Sequence, residues 1–222
     1  MIALVTQKET ANQHGEPADS LIHACVNYTS SLGFTPVPVP NDIATAREIS
    51  QTIDYRFLFV TGGGFAPIEY FSNECIGYVA QSRRDEVERF LIHDAVSKGI
   101  PILGLCRGMH MLNGVFGGTL VRNGSHSAPR HDHYVSFNSG KQILVNTFHN
   151  NAIPEDQLSS EFEAIAVETG TNNVECFVSE SKRILGLQWH PERPLPCEEA
   201  QEVSAQLIEW LIDAAPFPRE LL

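Results

Sequence analysis

The decapeptide Pro101-Ile102-Leu103-Gly104-Leu105-Cys106-Arg107-Gly108-Met109-His110 decides how the rest of the chain is read. Its first half is a short apolar run, as in a strand buried on both faces. From about Arg107 to Val115 the pattern becomes helical. Between the two, Gly104-Leu105-Cys106-Arg107-Gly108 has the spacing of a nucleophile elbow, with cysteine in the serine position. Such a turn needs glycine on both sides, because a side chain there would strike the sheet or the helix. It lifts the Cys106 sulfur to a helix N-terminus, where the dipole and free amides favour the thiolate.

Working outward, the same rhythm recurs upstream. Ile2-Ala3-Leu4-Val5 and Phe57-Leu58-Phe59-Val60 are further apolar runs. Helical patterns over 19–32, 43–51 and 83–98 separate them. In the last of these Val87, Phe90, Leu91 and Ala95 share one face, with charged residues on the other. Residues 34–40 hold three prolines and predict an extended edge segment. Strand, helix, strand, helix predicts a parallel sheet with right-handed crossovers. Beyond it, residues 119–122, 133–137, 142–145, 162–168, 174–178 and 184–190 predict shorter strands. A helix over 198–214 closes the chain, with Val203, Leu207, Trp210 and Leu211 inward. No repeat or linker interrupts the 222 residues, so they are read as one domain, 1–222.

A cysteine nucleophile needs a base and a group that orients it. Gln188-Trp189-His190-Pro191-Glu192 supplies both. Residues two apart on an extended chain share a face, and Pro191 disfavours a helix, so Glu192 is placed to hold the His190 ring. Thr61-Gly62-Gly63-Gly64 follows a buried strand and offers backbone amides near Gly63 and Gly64 to a developing oxyanion. The Arg107 amide is a further donor. The glycine run is no phosphate loop, since no Gly-Lys-Ser/Thr follows.

Composition sets outer limits. The 27 acidic and 15 basic residues give a net charge of −12, which argues against a general nucleic-acid or anionic-membrane binder. No apolar run reaches a membrane span, and the start lacks the form of a signal peptide, so the cytosol is the expected location. Five cysteines without Cys-x-x-Cys suggest neither a disulfide framework nor a zinc ribbon. No cofactor and no metal are expected, and His131-Asp132-His133 reads as a solvated loop. Arg83, Arg84, Arg107, Arg122 and Arg130 read singly as surface arginines, with phosphate contacts as the alternative.

In order, the glycine loop, the Gly-x-Cys-x-Gly elbow and the late His-Pro-Glu resemble class I glutamine amidotransferases and the related γ-glutamyl hydrolases of the peptidase C26 type. The resemblance runs from Ile2 to roughly Pro194. It implies a flavodoxin-like three-layer α/β sandwich with a mostly parallel central sheet and extra short strands in the second half. It also implies a Cys106–His190–Glu192 triad. Asn146-Thr147-Phe148-His149-Asn150, and Gly117-Gly118-Thr119-Leu120 with His126 downstream, resemble the hydrolase branch, which brings His149 to the substrate site. Pro38-Val39-Pro40-Asn41, Arg83-Arg84-Asp85-Glu86 and the Trp189–Arg193 segment resemble hydrolases of γ-glutamyl-CDP-amidate, which act in capsule phosphoramidate decoration. Where the family often carries a glutamyl-binding Gln, four residues after the nucleophile, this chain has His110. The implied partner is a small γ-glutamyl substrate, with Arg83, Arg84 and Arg193 toward its phosphates and Phe65 or Trp189 toward its base. A homodimer is left open. The rivals are a γ-glutamyl-GABA-type hydrolase, a glutaminase subunit feeding a separate synthetase, and a non-catalytic binding module.

Overall fold

The computed structural model describes residues 1–122, 131–213 and 215–221, so Arg130, His126 and the expected helix end at 214 lie outside the described residues. In chain order the elements are β1 (Ile2–Thr6), β2 (Lys8–Ala11), β3 (Pro17–Ser20), α1 (His23–Ser31), β4 (Thr35–Val39), α2 (Ile43–Thr52), β5 (Tyr55–Val60), α3 (Ser82–Ser97) and β6 (Ile102–Leu105). They continue with α4 (Arg107–Val115), β7 (Val121–Arg122), β8 (His133–Phe137), β9 (Gln142–Val145), β10 (Asn151–Ala152), β11 (Glu163–Glu168), β12 (Val174–Ser179), β13 (Ile184–Leu187) and α5 (Glu198–Asp213).

Nine strands form one sheet in the order β4-β1-β5-β6-β13-β12-β11-β8-β9. The first five run parallel, and their order is the flavodoxin-like 2-1-3-4-5 arrangement. The other four continue the sheet antiparallel. Period-two alternation divides the apolar strands between two cores. Ala3, Val5, Phe57, Phe59, Leu103 and Leu105 face α1 and α5, where Cys25, Val203 and Leu207 pack. Leu4, Leu58, Val60 and Ile102 face α2, α3 and α4, against Ala46, Leu91 and Met109. This is a three-layer α/β sandwich.

β4 takes its two prolines at the sheet edge, paired only with β1, where a missing N–H costs no ladder bond on the outer side. Three expectations are corrected. The helix expected from 19 starts at His23, because residues 17–20 instead pair with 8–11 in an exposed two-stranded ribbon. The 119–122 strand shrinks to Val121–Arg122, paired with β10 outside the main sheet. The last parallel strand stops at Leu187, which leaves Gln188 to Glu192 beyond its C-terminal end. Ligands bind at the carboxyl ends of such strands, and Thr61, Cys106 and His190 all lie there.

Candidate active site

Cys106 connects β6 to α4 with φ +51° and ψ −107°, a strained conformation for a non-glycine residue. The flanking glycines have steric reasons. A Cβ on Gly104 would lie 2.4 Å from Leu112 Cδ1, and one on Gly108 would lie 2.0 Å from the Val60 carbonyl oxygen. The strain is sustained by the bond from the Cys106 amide to the Leu187 carbonyl, 2.7 Å, on the neighbouring strand.

His190 Nδ1 donates to Glu192 Oε1 at 2.7 Å, and both side chains are buried. Asn146 fixes the His190 backbone from both sides. It accepts from the His190 amide at 2.8 Å and donates to its carbonyl at 3.0 Å. Burial alone would lower the His190 pKa, but the nearby Cys106 and the bonded Glu192 outweigh it and raise the value to about 9. Glu192 moves the other way: burial would raise it, but its bond to His190 prevails and holds it below the ordinary range. Cys106 and His190 line one cavity, and Glu192 is bonded to His190 behind it.

The glycine loop is held from behind. Arg84, fully buried, donates to the carbonyls of Thr61 (2.7 Å), Gly62 (3.2 Å) and Gly63 (2.7 Å). In a planar trans peptide the N–H points opposite its C=O. Holding the Gly62 and Gly63 carbonyls on the Arg84 side thus aims the amides of Gly63 and Gly64 away from it. Gly63 and Gly64 have φ of +87° and +80°, which only glycine adopts cheaply. Arg107 donates to the Phe65 carbonyl at 2.7 Å, and its guanidinium is paired with Glu88 and Asp85. Glu88 lies between the two arginines and accepts from Thr6 at 2.8 Å. Burial raises its pKa, but Arg107 and then Arg84 overcome that, so Glu88 stays ionised.

This corrects the reading of Arg84 and Arg107 as surface or phosphate-binding residues: both are interior struts. It also corrects α3, whose polar residues Arg84, Asp85 and Glu88 face inward. Only Arg83 of that pair is exposed. Trp189 is fully buried and donates to Ser204 at 3.0 Å, so it offers no surface to a base. The network was missed because a lone Arg gives no local sign of burial. The one available signal was Arg84-x-x-x-Glu88, an i,i+4 pair on the helix beside the glycine loop.

A cavity of about 260 Å³ opens over Cys106. Gly63, Gly64 and Phe65 form one wall; Phe148, His149 and Asn151 form the other; His110 and Arg107 reach it from α4. Each expected site residue is therefore at this cavity or, for Glu192, directly behind His190. His110 is buried and donates from Nε2 to Gln188 Oε1 at 2.7 Å; burial pushes its pKa down to about 4, so the ring is neutral. Burial likewise lowers His149 to about 4. Arg122 and Arg193 also line the cavity, each guanidinium over a ring: Arg122 is 5.0 Å from the Phe65 centroid and Arg193 is 4.2 Å from that of Phe148.

With this geometry in view, residues 1–192 match the family model of peptidase C26. The chain belongs to the peptidase C26 family. Among its relatives is the gamma-glutamyl-CDP-amidate hydrolase of Campylobacter jejuni, 27% identical over 170 residues that cover 72% of each chain. Another is the aminodeoxychorismate/anthranilate synthase component 2 of Bacillus subtilis, 29% identical over 181 residues, 78% of this chain and 84% of that one. The fold matches a glutamine amidotransferase crystal structure from Thermotoga maritima at TM-score 0.58 and 15% identity, covering 100% of this chain and 88% of that one. These relatives support an amidase or hydrolase activity in a peptidase C26 scaffold. Among the described residues no helix is long and apolar enough to cross a membrane.

Proposed function

We propose that this protein hydrolyses a γ-glutamyl amide through a thioester on Cys106. The observation that carries the reading is the buried His190–Glu192 pair beside a cysteine in a strained elbow. In the reacting state the Cys106 proton rests on His190, and the thiolate attacks the γ-carbonyl carbon. The amides of Gly63, Gly64 and Arg107 receive the oxyanion. As the C–N bond breaks, His190 gives its proton to the leaving nitrogen. It then takes a proton from water, which attacks the thioester and frees glutamate and Cys106.

The preferred leaving group is an anionic nucleotide amidate, with γ-glutamyl-CDP-amidate as the substrate and the capsule role that the sequence resemblance implies. The Campylobacter relative supports this. So do Arg122 and Arg193 at the cavity: Arg193 is expected from the sequence, and Arg122 takes the place expected of Arg83 and Arg84. Stacked guanidiniums present a planar fork to phosphate oxygens. The test compares kcat/KM for γ-glutamyl-CDP-amidate, glutamine and γ-glutamyl-GABA. The nucleotide substrate should be preferred, and its advantage should shrink with salt. Equal rates on all three, insensitive to salt, would remove the nucleotide from the assignment. The likeness to the Bacillus synthase component favours a second reading, a glutaminase subunit. A glutaminase rate that rises only when a synthetase chain is added would select it.

A further inference from the structure

Behind the His149 wall of the cavity, three elements bring together a second set of side chains that the hydrolytic chemistry does not use. Glu175 on β12 is buried, 1% exposed, with its carboxylate facing two imidazoles. His133 Nε2 from β8 lies 3.2 Å from Oε2, and His149 Nε2 lies 3.8 Å from Oε1. The donor atoms of the three residues all fall within 4.8 Å of one another. Tetrahedral ligands about 2.0–2.2 Å from a zinc ion stand roughly 3.3–3.6 Å apart, so small side-chain shifts would close this set around one cation.

The outer nitrogens are already committed. His149 Nδ1 lies 3.1 Å from the Asn151 carbonyl, which can only accept, so Nδ1 carries the hydrogen. In the neutral ring Nε2 then carries the lone pair, and it faces Glu175 Oε1. His133 Nδ1 is bonded to the Thr147 hydroxyl, which leaves its Nε2 toward Glu175. Imidazoles oriented through the far nitrogen, with both near nitrogens converging on one carboxylate, are the arrangement in which histidines ligate metals. The neighbouring buried carboxylate, Glu168, is occupied with Thr171 and Asn173.

We propose that His133, His149 and Glu175 bind one divalent cation of the zinc class, which ties β8, β12 and the 146–151 segment together behind the substrate cavity. Two imidazoles and one carboxylate are a ligand set for zinc-class rather than calcium-class ions. Binding releases any proton shared between Glu175 and the imidazoles. The role is positional: the segment it anchors carries Phe148, whose ring stands edge-on to His190 at 5.3 Å.

The experiment titrates Zn²⁺ and Co²⁺ into chelator-treated protein carrying Cys106→Ala, so that the catalytic thiol contributes no ligand. Calorimetry and the visible Co²⁺ absorption are the readouts. The expected result is one equivalent bound, with a Co²⁺ band of low-coordinate nitrogen and oxygen ligation. Affinity should fall at least about 100-fold in both Glu175→Gln and His133→Gln, and added Zn²⁺ should raise the unfolding temperature of the parent but not of either variant. Two variants guard against a folding failure in one, with far-UV circular dichroism as the check. No binding by the folded parent, or binding that both folded variants retain, would overturn the proposal and leave a hydrogen-bonded His–carboxylate–His cluster.

Discussion

On one side of the cavity Glu88 is enclosed by two guanidiniums; on the other, Glu175 is faced by two imidazoles. Both carboxylates are buried, yet their counter-charges differ in kind. Guanidiniums stay protonated under ordinary conditions: Arg84, lowered by burial and then by Arg107, still titrates only near 10. The first cluster is therefore a fixed scaffold that holds the glycine-loop carbonyls and aims their amides. Imidazoles titrate and can accept metals: burial lowers His149 to about 4, while against burial Glu175 raises His133, so the second cluster has a state that depends on its surroundings. The fixed cluster backs the glycine loop, and the variable one backs the His149 wall.

The largest effect should come from breaking the fixed cluster. Glu88→Ala leaves two guanidiniums buried without their shared anion and should cost about 3–5 kcal/mol in chemical denaturation, with activity lost alongside. A cost below about 1 kcal/mol would mean the arginines find water. Glu192→Gln should lower kcat about 10²–10³-fold in a protein that still folds, because the imidazole loses the charge that orients it. An unchanged kcat and pH profile would reduce Glu192 to a loop residue. Arg122→Ala and Arg193→Ala should each raise KM for a nucleotide-bearing substrate by roughly tenfold, the weight of one charged contact, while sparing γ-glutamyl-GABA. Equal KM changes for both substrates would place these arginines on the glutamyl group instead.

The pH dependence of stability gives a subtler contrast. His190 is raised to about 9 from 6.5, so its contribution is complete below pH 6.5 and fades as the pH rises through about 9. His110 is lowered to about 4, so the unfolded chain takes up the proton first, and stability falls as the pH drops from 6.5 toward 4. Denaturation curves against pH should show a neutral plateau with two limbs. His110→Gln should reduce the acid limb, which His149 shares, and His190→Gln should flatten the alkaline one. A limb unchanged by its own substitution would assign it to another group.

How much of this was legible in the sequence follows from how local each feature is. The elbow is five consecutive residues, and His190–Glu192 is a pair two apart, so residue type and spacing carry their geometry. The parallel strands were legible because burial on both faces leaves unbroken apolar runs. The arginine struts were not, since Arg84 is interior only because carbonyls at 61–63 and the Glu88 carboxylate meet it there. Nor was the His133–Glu175–His149 cluster, whose members come from separate stretches joined by strand pairing. His131-Asp132-His133 read as one solvated loop, but only its first two residues are exposed; His133 begins a strand and turns inward. The β2–β3 ribbon lacks an apolar face, so no periodicity announced it.

The central claim is that Cys106 forms the covalent intermediate, and its most direct test is steady-state turnover of Cys106→Ala against the parent enzyme. The substrate is whichever γ-glutamyl amide the parent cleaves fastest. The account predicts a fall in kcat of about 10³-fold or more in a variant that folds normally, because alanine removes the nucleophile from the elbow. Turnover within about tenfold of the parent would contradict it.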